Sequence, residues 1–297
     1  RYLAQLAGPL LFELTDQRPA QLADIKTVLL QYRFRPYALF HQKVGMPFII
    51  MGKDTTTLKA DTVADPDAAL REWLRGYAKK HPRWGYRRAY HDVRGEGWQV
   101  NHKKIQRLWR EEGLRVPQRR RRKRIGSSTA DAPKACAPNV VWAIDFQFDV
   151  DEAGRPIKIA SIVDEHTRVC LGGLVERSIT ADRLTDHLDD LVKLHGPPAV
   201  LRSDNGPEFI SQAIADWAGT RTGLSYIPPG SPWLNGYVES FNSRLRDECL
   251  NFNSFYSLLH AQVVIGDWKV EYNTVRRHSA LGYLTPADYA RDCTHEM

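Results

Sequence analysis

Cysteine is scarce in this chain: Cys136, Cys170, Cys249 and Cys293 are all there is in 297 residues, and none forms a C-x-x-C pair. Their intervals match no zinc framework, so they read as reduced thiols of a cytosolic protein and not as a disulfide scaffold. Long apolar runs are missing too. No stretch approaches the 18 residues of a membrane span, so no membrane partner is expected. The start, RYLAQLAGPLLFEL, has a short apolar stretch that an acidic residue soon interrupts, so no signal peptide is expected. A cytoplasmic, nucleoid-associated location follows as the expectation. Acid is also in deficit, 35 Asp+Glu against 42 Lys+Arg, for a net charge of +7.

That surplus is uneven. Residues 61–125 hold 19 basic and 8 acidic side chains, which leaves the remainder at about −4. A basic module beside a mildly acidic one fits nucleic-acid binding next to a carboxylate site. Residues 1–60 carry no legible role. Over 66–80, Ala69, Leu70, Trp73, Leu74 and Tyr77 share one helical face. A second helix is predicted from about Tyr86 to Val93, then a turn through Gly95-Glu96-Gly97. The third helix is predicted to be capped by Asn101, with Ile105, Leu108 and Trp109 facing the core. His102, Lys103, Gln106, Arg107 and Arg110 fall on its other faces. Helix, glycine turn and basic helix make a helix-turn-helix pattern, and a small bundle with a solvated charged face is the plainer reading.

Domain limits follow: an unassigned segment 1–60, a helix-turn-helix-like domain 61–116, a basic linker 117–138 and a second domain 139–297. The linker carries six consecutive cations, Arg119, Arg120, Arg121, Arg122, Lys123 and Arg124. Such a run can touch several phosphates without regard to sequence, and a solvated tail is the alternative. From residue 139 the pattern turns to strands: VVWAIDFQFDV, RPIKIASIVDE, RVCLGGLVE, PPAVLRSD and LSYIPP. Helices follow the third strand (ITADRLTDHLDDLVKLHG, with Leu184, Leu188, Leu191 and Leu194 on one stripe), the fourth (EFISQAIADWAGTR) and the fifth. The order β-β-β-α-β-α-β-α predicts an α/β fold, a mixed five-stranded sheet flanked by helices and preceded by the all-α domain.

Three carboxylates stand out. Asp145 lies mid-strand among Trp142, Ile144 and Phe146, where an acid is costly unless paired or bound to metal. Asp204 ends the fourth strand at Asn205-Gly206, and Glu239 sits in the first turns of the last helix of the series. Taken singly, Asp204 also reads as a simple turn and Glu239 as a solvated helix charge. Together they make an all-oxygen set suited to Mg²⁺ or Mn²⁺ and not to zinc. Arg246 shares the face of Glu239 and is positioned to meet a phosphate there.

SDNGPEF, PGSPWLNGYVESFNSRLRDECLN and YNTVRRHSALGYLTPADYA, in that order, resemble the second-frame transposases of the IS-three insertion-sequence family. Their core is similar to retroviral integrases, with a ribonuclease-H-like fold. HPRWGYRRAYHDVRGEGWQVNHKKIQRLWREEGL resembles the helix-turn-helix segment of the same family. The resemblance implies a metal-dependent transposase in which Asp145, Asp204 and Glu239 hold two Mg²⁺ or Mn²⁺ ions. It implies double-stranded DNA as partner, both terminal repeats and target. A homo-oligomer on DNA and the upstream-frame DNA-binding protein of the element are further expected partners. Lys103, Lys104, Gln106, Arg107, Arg119–Arg124 and Arg246 are the expected DNA contacts. Two departures stand: 34 residues separate Asp204 from Glu239, one fewer than usual, and Arg277 occupies a place commonly held by Pro. An inactive remnant that only binds DNA, and a related metal nuclease that cuts without joining, are the rival readings.

Overall fold

The computed structural model describes residues 65–116, 134–228 and 235–295. The segment 1–60 and the cations Arg119–Arg124 lie outside the described residues. Those described belong to one compact unit, Val63–Met297.

The chain first builds a three-helix head: α1 (Ala68–Lys80), α2 (Tyr86–Gly95) and α3 (His102–Glu111). Leu70, Leu74, Ala89, Val93, Ile105, Leu108 and Trp109 form its core. Asn101 caps α3 as its spacing predicts, accepting from the Lys103 amide at 2.9 Å. Ala69, expected on the apolar face of α1, is exposed. Arg71 ties α1 to the end of α3 through Glu111 and Glu112, at 2.6 and 2.9 Å.

The second part is a mixed sheet of β1 (Val141–Val150), β2 (Pro156–Asp164), β3 (Cys170–Gly172), β4 (Val175–Glu176), β5 (Val200–Ser203) and β6 (Gly223–Tyr226). Their order is β3-β2-β1-β5-β6, with β4 also on β2. β1, β2 and β3 run antiparallel, and β5 and β6 run parallel to β1. This is the ribonuclease-H-like sheet implied above, with one change. The single strand expected over RVCLGGLVE is broken into β3 and β4 at Gly173-Leu174. Gly173 passes so close to the Ala160 carbonyl and the Lys269 ammonium that a side chain could not fit there.

Helices cover both faces, so the central strands read as nearly continuous apolar runs. Trp142, Ile144, Ala160 and Ile162 pack toward α4 (Ala181–His195) and α5 (Gln212–Ala218). Their alternates Ala143, Ile157, Ile159 and Val163 pack toward α6 (Gly236–Glu248) and α7 (Leu258–Thr274). A last helix, α8, spans Pro286–His295. Leu184, Leu188 and Leu191 are buried as expected, but Leu194 is 70% exposed. At 100° per residue it has rotated about 80° off the stripe begun at Leu184, while His195, exposed, meets Trp142 edge-on. α5 is shorter than its pattern predicts, beginning only at Gln212 with Ser211 as cap. Among the described residues no helix is long and apolar enough to cross a membrane.

Head and core are locked together. Arg83, after α1, donates to both carboxylate oxygens of Asp247 at the end of α6, at 3.0 and 2.5 Å. The Trp84 indole donates to Glu248 at 3.2 Å, and buried Arg276 forks onto the same carboxylate at 2.7 and 2.6 Å. Arg277 reaches back to Asp92 on α2 at 2.5 Å, and its carbonyl accepts from Arg88 at 2.8 Å. His91 stacks on Tyr283 at 4.1 Å between ring centres. Asp247 and Glu248 therefore point to the head, away from Glu239.

Candidate active site

Strand alternation aims Asp145. Ala143 faces α6, so Asp145 two residues on faces α6 as well. Asp145 lies opposite Ser161 of β2 in the sheet register. On its other side β1 and β5 pair Ala143 with Arg202, and the same register carried two residues further sets Asp145 level with Asp204. Neighbouring strands lie about 4.8 Å apart, so these two acids meet where β5 ends and its chain turns away. An Asx turn shapes that exit: Asp204 Oδ1 accepts from the Gly206 amide at 2.9 Å, while Asn205 donates to the Ile227 carbonyl at 2.8 Å. Glu239 enters from the first turn of α6.

The electrostatics bring the three together. Burial pushes the Asp145 carboxyl up to about 6, and the charges of Asp204 and Glu239 push the same way. Hydrogen bonds from Asn242 (2.9 Å) and from the Phe146 amide (2.9 Å) oppose that rise. Glu239 is also raised, by partial burial. Among the described residues, however, no three His, Cys, Asp or Glu side chains already converge at metal-ligand distance. Asp145 feels the charges of the other two, and the three do not close on a shared point.

Asn242 is the residue the sequence did not single out. It lies three places after Glu239 on α6, is 7% exposed, and its carbonyl accepts from Gln147 at 3.2 Å. One turn of helix thus supplies an acid to the site and a donor that holds a second acid. The E-x-x-N spacing was visible, but an Asn on an amphipathic helix carries no signal until the helix is docked. Around Asp145, Asn242 Oδ1, Gln147 Oε1 and Ser161 Oγ are buried with no hydrogen-bond partner. Hard oxygen donors in excess, with one acid pressed toward protonation by burial and by two neighbouring acids, are a donor set that fits a divalent cation.

The expected DNA contacts are placed unevenly. Arg246 lies on the site's flank, yet its guanidinium bonds Asp149 at 3.1 Å and the Phe148 carbonyl. Lys103 is exposed on α3 and Gln106 half-buried. Lys104 and Arg107 both reach Asp67, at 2.5 and 3.3 Å. Glu208, ahead of α5 and near Asp204 in sequence, is held by Lys158 at 2.5 Å.

Known proteins match this layout in order. An HTH-like domain family matches residues 65–122, and integrase core domain families match residues 135–232 and 220–286. A 31.7 kDa protein of insertion element IS407 from Burkholderia multivorans is 39% identical over 243 residues, 81% of this chain and 88% of that protein. A 39.2 kDa protein of insertion element IS476 from Xanthomonas euvesicatoria is 41% identical over 224 residues, 75% of this chain and 64% of that protein. The putative transposase InsK of IS150 from Escherichia coli is 27% identical over 246 residues, 78% of this chain and 84% of that protein. Among solved structures, the HTLV-2 integrase catalytic core in complex with magnesium is 18% identical at a TM-score of 0.42, covering 53% of this chain and 99% of that one. With its helix-turn-helix-like head, its integrase core and these relatives, the chain belongs to the IS-three family of insertion-sequence DNA transposases, which are polynucleotidyl transferases.

Proposed function

We propose that Asp145, Asp204 and Glu239 are the catalytic carboxylates of this transposase and hold two Mg²⁺ or Mn²⁺ ions. The observation that carries the reading is that acids from three separate elements are grouped around half-buried Asp145, where the charges of Asp204 and Glu239 add to burial in raising its carboxyl. When bound, such ions supply stabilisation of the attacking and leaving oxygens of an in-line phosphoryl transfer. Asp145, whose carboxyl feels both other acids, would be shared between the ions, and Asp204 and Glu239 would each hold one. Asn242 orients Asp145, and the Asx turn at Gly206 holds Asp204 at the strand end. No covalent bond to the protein is needed, so strand cleavage and attack by the freed 3′-OH can use the same three acids.

The head and flank hold the DNA. Lys103 and Gln106 face outward on α3, and Lys104 and Arg107 join them on leaving Asp67. Arg119–Arg124 would add sequence-blind phosphate contacts, and Arg246 a contact beside the acids in exchange for Asp149. Terminal repeats and target DNA are the substrates. The assembly is a homo-oligomer on DNA, with the upstream-frame protein of the element as a further partner.

The test uses the full chain with the DNA ends of its own element and Mg²⁺. Asp145→Asn, Asp204→Asn and Glu239→Gln should each abolish cleavage and joining while DNA affinity stays at the wild-type level. Isothermal titration should show that each also weakens Mg²⁺ binding. Wild-type joining by any one of the three would remove that residue from the site.

A further inference from the structure

On the side of α6 away from Glu239, a cleft of about 480 Å³ opens between the head, α6 and the segment after α7. Its walls hold Arg88 from α2, Arg168 from the β2–β3 turn, Arg244 from α6 and Arg276, with His278 and Ser240 between them. None of these belongs to the site described above. The first residues of α6, Gly236 and Tyr237, form its rim, and Asn235 gives that helix no side-chain cap. First-turn amides and a helix N-terminus add to the positive field there.

Four guanidiniums in one cleft concentrate positive charge there. Glu248 is engaged by Arg276 and Trp84. Arg168, at a backbone φ of +65°, lies 3.7 Å above the Tyr237 ring and leaves its buried Nη1 without a hydrogen-bond partner. An Arg rarely adopts that backbone region, so the turn spends strain to aim this side chain. The crowding is felt by neighbours: burial and then the Arg276 charge bring Arg88 down to about 10. His278 is driven to about 2 by burial and by all four arginines, so it stays neutral within hydrogen-bond reach of Arg276, at 3.3 Å.

We propose that this cleft is a second DNA-backbone site, in which Arg168 and Arg244 with Ser240 grip a phosphodiester group. It rests on the reading of the chain as a DNA transposase. Guanidinium forks match phosphate oxygens, and a cleft walled by head, α6 and the segment after α7 fits the backbone of DNA held by the head. The contact is to backbone and carries no sequence preference.

Duplex binding by the full chain is measured by fluorescence anisotropy across a salt series, with end DNA and with random DNA. The double variant Arg168→Gln/Arg244→Gln should weaken both equally and reduce the slope of log K against log salt by about 0.9 for each phosphate that is no longer neutralised. Ser240→Asp keeps every arginine, alters an exposed position and should reduce the slope likewise, which covers a double variant that folds poorly. Arg183→Gln, on α4 and paired with Glu176, should leave the slope unchanged. A wild-type slope in both cleft variants would overturn the proposal. So would a melting shift by inorganic phosphate, at matched ionic strength, that the double variant loses while its DNA slope stays wild-type, since the occupant would then be free phosphate. These readouts need no catalysis. Retained joining by Asp145→Asn would remove that acid from the site and leave the cleft standing, and an unchanged slope would do the reverse.

Discussion

Asn242 illustrates how much of a carboxylate site is held by residues that are not acids. Its amide donates to Asp145 Oδ2, lowering the cost of keeping that buried acid ionised. Without it, only the Phe146 amide would hold Asp145, which would resist losing its proton beside Asp204 and Glu239. Asn242→Ala should therefore cost about 10–100-fold in joining at low Mg²⁺, as outer partners of ligands do elsewhere. Raised Mg²⁺ should recover much of that loss, and a rate that ignores Mg²⁺ would contradict the orienting role. A second acid speaks to stability alone. Asp151 is buried, which would raise its carboxyl, but the Arg155 amide and the Arg177 and Arg155 side chains outweigh this and hold it at about 2. A carboxyl depressed in the folded state contributes stability above its unfolded value of 3.8. That contribution fades as pH falls from about 4 toward 2. In urea titrations across this window, Asp151→Asn should lose less stability with acid than the parent does.

At the scale of elements, Gly173 is where strand pairing and helix packing compete for the same space. A methyl there meets the Ala160 carbonyl of β2, which is backbone in mid-sheet and cannot yield. Gly173→Ala should destabilise by about 1–3 kcal/mol, read as a lower urea midpoint at unchanged slope. The same element shows what the sequence could reveal. RVCLGGLVE has the composition of one strand, and the close approach of the Ala160 carbonyl and of Lys269 from α7 goes with the break. Where periodicity alone decides, as for α3 and the alternation of β1, the sequence was sufficient. Asn101 announced its helix, and the position of Asp145 between apolar neighbours marked a candidate site. Where long-range packing decides, it was not: Asn242 and the Asp149 partner of Arg246 depend on how α6 lies on β1. Leu194 fell to a simpler cause, a leucine stripe extended one turn too far.

For the whole molecule, the seam between head and core decides how the two act. Arg276 and Glu248 are 2% and 6% exposed as side chains, so removing one charge strands the other in a dry environment. Glu248→Gln should cost about 3–5 kcal/mol, seen in urea as a lower midpoint shared by fluorescence and circular dichroism. If only one probe shifted, the head would be unfolding apart from the core. The seam also bears on inheritance. Arg83 and Trp84 need Asp247 and Glu248, and Asp92 needs Arg277, so contacts span some 160 to 190 positions of sequence. Related elements could not trade heads as free cassettes. A chimera carrying a foreign 65–116 should recover its fit only when the residues at 247, 248 and 277 are transplanted with it, so that a new DNA preference travels with a patch of the distant C-terminal half.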